Sequence, residues 1–182
     1  MRYAARRAAL VAADPQGVTV LPAPPPAVLA NDIEHRYRPE SNLWYLTGLA
    51  EPGALAVVRS TEGGPGLTLF VRPRDPLAEQ WTGARVGPEQ AVSRHGAVAA
   101  HALDALDEKL PELLVGCRTL YYRLGRDRAM DDRVLRAVER ARGLARVQGT
   151  DHPHAIMEPQ VRLGAMRAIK DADEIAVLRR AA

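Results

Sequence analysis

Five histidines, one cysteine and a scatter of carboxylates are the groups in this 182-residue sequence able to bind metal or to act as nucleophile, acid or base. Asp151-His152-Pro153-His154 offers two imidazoles and an acid close together. The proline between the histidines imposes extended backbone, and the run reads as a solvated linker rather than a metal site. Asp131-Asp132 falls in a helical stretch, where adjacent side chains point apart, and reads as a surface pair. Cys117 follows Leu113-Leu114-Val115-Gly116 and reads as a small buried residue at the edge of a strand. As the sole cysteine it excludes an intramolecular disulfide and any multi-cysteine metal knuckle. HExxH, Gly-x-Ser-x-Gly, Walker and GxGxxG patterns are all absent. No catalytic residue and no metal ligand is assigned from these groups.

Polar residues set beside aromatic ones carry more information. Asn31-Asp32-Ile33-Glu34-His35-Arg36-Tyr37-Arg38 packs charge and aromatic character into the approach to Trp44. Asp75-Pro76-Leu77-Ala78-Glu79-Gln80-Trp81-Thr82-Gly83 sets a tryptophan in what reads as a polar turn. Core and cross-strand packing is the ordinary role for Trp44 and Tyr45, and Trp44 is expected to pack in the core. Trp81, among Glu, Gln, Thr and Gly, has no apolar stripe to join, and exposed aromatics of this kind serve interfaces or ligand pockets.

The elements that must position these residues follow from composition. Ala, Arg and Leu over 2–13 predict a helix, stopped by Asp14-Pro15-Gln16-Gly17. Val18–Leu21 reads as a strand, and Pro22–Pro26 as an extended loop. Asn42–Thr47, Ala54–Arg59 and Leu67–Val71 read as antiparallel strands divided by Glu51-Pro52-Gly53 and by Gly63-Gly64-Pro65-Gly66. Further on, Pro88–His95 and Val98–Leu110 are helical in composition and Arg118–Arg123 is a strand. Asp127–Arg142 is a helix with Asp127 at its start and Gly143 at its end, and Val147–Pro159 is a linker. Asp171 or Asp173 then caps a last helix. The pattern predicts an α/β domain, a three-layer α/β/α sandwich around a mixed sheet.

An apolar fraction of 47% supports a real core. The net charge of +3 comes from arginines interspersed with acids, which argues against a nucleic-acid partner. No apolar run has the length of a membrane span or the form of a cleaved leader, so a cytoplasmic protein is expected.

Three motifs resemble those of one family. Tyr37-Arg38-Pro39-Glu40-Ser41-Asn42-Leu43-Trp44-Tyr45-Leu46-Thr47-Gly48, followed by Glu51-Pro52, is the first. The second joins Arg74 and Asp75 to Glu79, Trp81 and Gly83, and the third joins Met166 and Arg167 to Lys170, Glu174 and Ile175. In that order they are similar to the N-terminal domain of the Xaa-Pro aminopeptidases (aminopeptidase P, in the creatinase-like group) and to the start of the catalytic domain behind it. The resemblance implies a creatinase-type N-terminal domain over residues 1–158, with 159–182 as linker and first helix of a pita-bread catalytic domain.

It further implies a hydrolase that removes the N-terminal residue before proline, using two manganese ions held by that catalytic domain and none in this chain. The expected partners are peptides with proline at the second position and copies of the same chain, as a homodimer or homotetramer, with no membrane. Asp32 and Trp81 match positions associated with a wall of the substrate pocket. The chain by itself is expected to be inactive. The alternatives are a stand-alone peptide-binding or oligomerisation module and the N-terminal domain of a prolidase.

Overall fold

The computed structural model describes residues 2–31 and 33–181, the side chains of Ile33 and Glu34 excepted. Among these residues a six-stranded sheet is built from β1 (Gly17–Pro22), β4 (Leu55–Thr61), β5 (Gly64–Val71), β6 (Ala99–Ala102), β7 (Thr119–Tyr121) and β8 (Ala155–Met157). Its order is β6-β5-β4-β1-β7-β8. β4 runs antiparallel to β1 and β5, and the remaining pairs are parallel, so β4 alone opposes the rest. A separate small ribbon pairs β2 (Val28–Ala30) with β3 (Ile33–Glu34).

Alternation along the strands divides the core between two faces. Leu21, Ala56, Val58, Leu67 and Leu69 pack with Leu10 of α1 (Arg2–Ala13), Leu43 and Leu46 of α2 (Ser41–Thr47), Ala91 of α4 (Gly87–His95) and Leu163 of α7 (Pro159–Ala168). On the opposite face Val18, Val20, Leu55, Val57 and Phe70 pack with Leu106, Leu110 and Leu114 of α5 (Leu106–Leu114) and with Val134, Ala137 and Ala141 of α6 (Arg128–Gln148). Full burial of each such Leu, Val or Phe stabilises the fold by about 1.5–3 kcal/mol. Helices over both faces of a mixed sheet make the three-layer α/β/α sandwich that the sequence pattern predicts. Cys117 is buried in the second cluster, as its apolar neighbours imply.

Several local expectations are corrected. Residues 42–47 form helix, not strand: the Glu40 carboxylate caps the Leu43 amide at 2.7 Å, and Gly48 ends α2 in the left-handed region at φ 69°. Helical spacing then buries Leu43 and Leu46 and turns Trp44 outward, where it is 41% exposed rather than in the core. The Asp75–Gly83 segment is likewise helical, as α3 (Pro76–Thr82). Ala99–Ala102 is a strand because β5 offers it a parallel edge from Thr68 to Val71. α6 runs through Gly143 to a cap at Gly149. Within the expected linker, Ala155–Met157 pairs with β7. Asp131 is no idle surface acid, since its carboxylate accepts from the Tyr122 hydroxyl at 2.7 Å and the Gly125 amide at 2.9 Å. Burial, with that contact adding to it, pushes the Tyr122 hydroxyl well above the usual tyrosine range.

Candidate functional site

α2 is short, and the way its exposed carbonyls are satisfied organises one face of the domain. The last carbonyls of a helix have no partner within it and attract cationic donors. The Trp44 carbonyl accepts from the Gly48 amide at 2.8 Å. The Tyr45 carbonyl accepts from Arg6 Nη1 at 3.2 Å, and the Leu46 carbonyl from Arg7 Nη1 at 2.9 Å. The Thr47 carbonyl lies 3.0 Å from His95 Nδ1, which must therefore carry the proton and donate. α1 is brought close enough for this because Gly48 has no side chain: a Cβ there would sit 2.7 Å from the Tyr3 ring.

Arg6 continues from α2 to the end of the chain. Its guanidinium lies 4.1 Å from the centre of the Tyr45 ring, and Nη2 donates to Asp171 at 2.6 Å and reaches Glu174 at 3.0 Å. Asp171 and Glu174 begin α8 (Ala172–Ala181) with reciprocal bonds: the Glu174 amide donates to Asp171 at 2.8 Å and the Asp171 amide to Glu174 at 3.0 Å. The Glu174 amide, with Arg6 adding to it, holds the Asp171 carboxyl below its ordinary range. α2 also grips α7, with Asn42 donating to Gln160 at 2.9 Å and accepting from Arg167 at 2.7 Å. The Tyr45 hydroxyl donates to the Met166 carbonyl at 3.2 Å. The first and third sequence motifs are thus in direct contact, joined by Arg6.

The second motif builds a separate feature. Asp75 caps α3 by accepting from the Leu77 and Ala78 amides, each at 3.1 Å, and Pro76 supplies the first-turn φ. Glu79 closes the cap from the other side, accepting from the Asp75 amide at 3.1 Å and from Arg74 Nε at 2.6 Å. The Arg74 contact holds the Glu79 carboxyl below its usual range. On this braced helix Leu77 and Trp81 stand one turn apart, 76% and 89% exposed. Nothing among the described residues covers the indole. α3 thus holds the Trp81 indole out from the domain surface.

A cavity of about 340 Å³ opens at the carboxyl ends of β1 and β7, where the chain leaves the sheet toward opposite faces. Its floor is apolar, from Val20 to Pro25 with Pro159. Much of its polar lining is engaged elsewhere: Glu40 caps α2, Asn42 holds α7, Tyr122 donates to Asp131 and Asp127 caps α6. The sequence reading missed this cavity, because only the strand order creates it.

The chain matches the family description "Aminopeptidase P, N-terminal domain" over residues 3–121. It belongs to that family. It is 35% identical over 178 residues to Xaa-Pro aminopeptidase of Escherichia coli K12, covering 97% of this chain and 40% of that protein. It is also 30% identical over 102 residues to human Xaa-Pro aminopeptidase 3, across 54% of this chain and 20% of the relative. Among solved structures, proline aminopeptidase P II from Yersinia pestis superposes with a TM-score of 0.87 at 35% identity, over 98% of this chain and 41% of that one. A zinc-substituted E. coli aminopeptidase P in complex with product gives 0.88 at 34% identity over the same shares. The chain therefore spans about two fifths of the length of these bacterial relatives.

Within this aminopeptidase P N-terminal domain, Trp81 is placed on the surface of α3, while Asp32 lies outside the described residues. The five histidines are not gathered: His152 and His154 meet edge-to-face with 4.6 Å between ring centres, and His154 Nε2 lies 3.7 Å from Asp151. Asp151 is itself bound by Arg118 at 2.9 Å. No three His, Cys, Asp or Glu side chains converge as a metal site among the described residues, and no helix of the described residues is long and apolar enough to cross a membrane. Sequence reasoning missed Arg6, which looks in the sequence like one more arginine of an Ala-Arg helix; its burial was the only signal, and that is a tertiary property.

Proposed function

We propose that this chain is the N-terminal, non-catalytic domain of an Xaa-Pro aminopeptidase, a hydrolase that removes an N-terminal residue preceding proline. Family membership carries the proposal: relatives with that activity in their names match it along most of its length. In this reading residues 1–158 form the domain, and 159–182 lead into the part of the enzyme that does the chemistry. The two manganese ions of the family do not fit this chain, whose described residues offer no convergent donor set, so no chemical step is assigned to it here. The ions and the attack on the peptide carbonyl belong to the remaining length of the enzyme, and the protein acts in the cytoplasm as a homodimer or homotetramer.

The contribution of this chain is shape. The Trp81 indole, held out on α3, closes an apolar wall against a substrate side chain or proline ring, of its own subunit or of a neighbour. Asp32 supplies a carboxylate to attract the ammonium terminus of the peptide. The test is kinetic: in the complete enzyme, Trp81→Ala raises KM or lowers kcat for an Xaa-Pro peptide while the melting temperature stays put. Normal kinetics in that variant would remove Trp81 from the substrate wall.

A further inference from the structure

A second concavity lies beside the end of α3, and Pro26 lines it next to the Pro24 and Pro25 that line the β1–β7 cavity. It measures about 390 Å³ and is enclosed by Tyr37, the Leu49–Pro52 turn, the end of β5, the 82–86 segment and the end of α4. Its charges are one-sided. Arg72, Arg85 and Arg94 line it, with the His95 ring alongside, against a single acid, Glu51. Glu51 is already spent: one oxygen accepts from the Arg72 amide at 3.3 Å and Arg72 Nε at 3.4 Å, the other from the Val86 amide at 2.9 Å. One guanidinium is neutralised and two are not.

The remaining donors are unequally used. Arg85 Nη1 donates to the Pro73 carbonyl at 3.3 Å, but its Nε is buried with no partner among the described residues. Its Nη2 makes no hydrogen bond among the described residues, and that nitrogen rather than the enclosed Nε is what Arg85 offers a ligand in the cleft. Arg94 makes no ion pair with any described residue. The proton on His95 Nδ1 is committed to the Thr47 carbonyl, so the neutral ring shows the cleft only an acceptor at Nε2 and takes no part in holding an anion. We propose that this cleft binds a small oxyanion, a carboxylate or phosphate group, gripped by the Arg85 and Arg94 guanidiniums with Arg72 beside them. Guanidinium forks suit such groups because two parallel N–H donors match two oxygens, and partial enclosure strengthens each contact. The cleft asks nothing of the peptidase reading, and each can fail without the other.

The test is a titration of the ¹⁵N-labelled chain at constant ionic strength, following arginine Nε–H resonances. The probes are inorganic phosphate, an N-acetyl amino acid and the amide of that same amino acid. Saturable shifts at Arg85 and Arg94 are expected with phosphate, with the free carboxylate, or with both, and none with the amide; the responding probe identifies the source of the oxyanion. Arg85→Gln and the exposed Arg94→Gln each weaken binding by roughly tenfold or more, while Arg136→Gln on α6 leaves it unchanged. No saturable shift with either anion, or undiminished affinity in Arg94→Gln, overturns the proposal.

Discussion

Replacing Arg6 with alanine tests how the first and third motifs are joined. The Arg6 side chain is only 10% exposed and faces the Tyr45 carbonyl, the Tyr45 ring, Asp171 and Glu174. A hydrogen bond from a charged donor contributes about 1.5–3 kcal/mol, and a partly desolvated cation–π contact about 0.5–2 kcal/mol. The Asp171 side chain is 42% exposed, so solvent screens that pair and it adds little of its own. Since the terms share one side chain and do not add fully, the expected loss is about 2–4 kcal/mol, or roughly 5–15 °C in melting temperature for a domain of this size. The loss is not uniform. No residue of α8 is buried, so the helix has little besides Arg6 to hold it. Hydrogen exchange in Arg6→Ala should therefore speed up in residues 172–181 by on the order of tenfold beyond any change in the β1–β4–β5 strands. Asp171→Asn removes the charge but keeps a competent cap, and should quicken α8 exchange with little change in melting temperature. The Asp171 carboxyl is depressed in the folded state, so its contribution is present above its ordinary value of 3.8 and lost as pH falls through the lower folded value. α8 protection should accordingly be flat from neutral pH down to about pH 5 and collapse only in stronger acid. If Arg6→Ala leaves α8 exchanging no faster relative to the strands, the clamp does not exist and Arg6 is merely a core residue.

Other outcomes follow from the same geometry. Trp81→Ala, at 89% exposure, should change the stability of the chain by no more than about 0.5 kcal/mol, as denaturant melts will show; a larger loss would mean the indole packs within its own domain. Leu163→Ala should cost about 2–5 kcal/mol, because the side chain is fully buried; a near-neutral result would show that α7 is not part of this domain's core. Residues 1–182 supplied with manganese should release no residue from an Xaa-Pro peptide by amino-acid analysis, whereas chelator-sensitive turnover would place a catalytic centre within this chain.

The sequence was legible wherever local chemistry had one solution. The α1 boundaries, the Asp127 cap, the β4–β5 hairpin and the polar setting of Trp81 all follow from propensity, caps and turn residues that act within a few positions. It misled where two local readings competed. Leu43-Trp44-Tyr45-Leu46-Thr47 has strand-forming residues, yet the Glu40 cap and the Gly48 terminator favour helix, and burial of Leu43 and Leu46 against the sheet decided between them.

By itself the sequence determined the family and the fold class, because motif spacing, composition and turn residues are local properties of the chain. Tertiary structure alone decided three other things. Ala99–Ala102 and Ala155–Met157 are strands because sheet edges were waiting for them, not through their own propensity. Arg6 and Arg7 are buried because α2 ends with carbonyls that need donors, a demand arising in another element. The cationic cleft exists because residues from Tyr37 to His95 converge around one spent carboxylate, and charge assembled across such distances has no signature in a linear pattern.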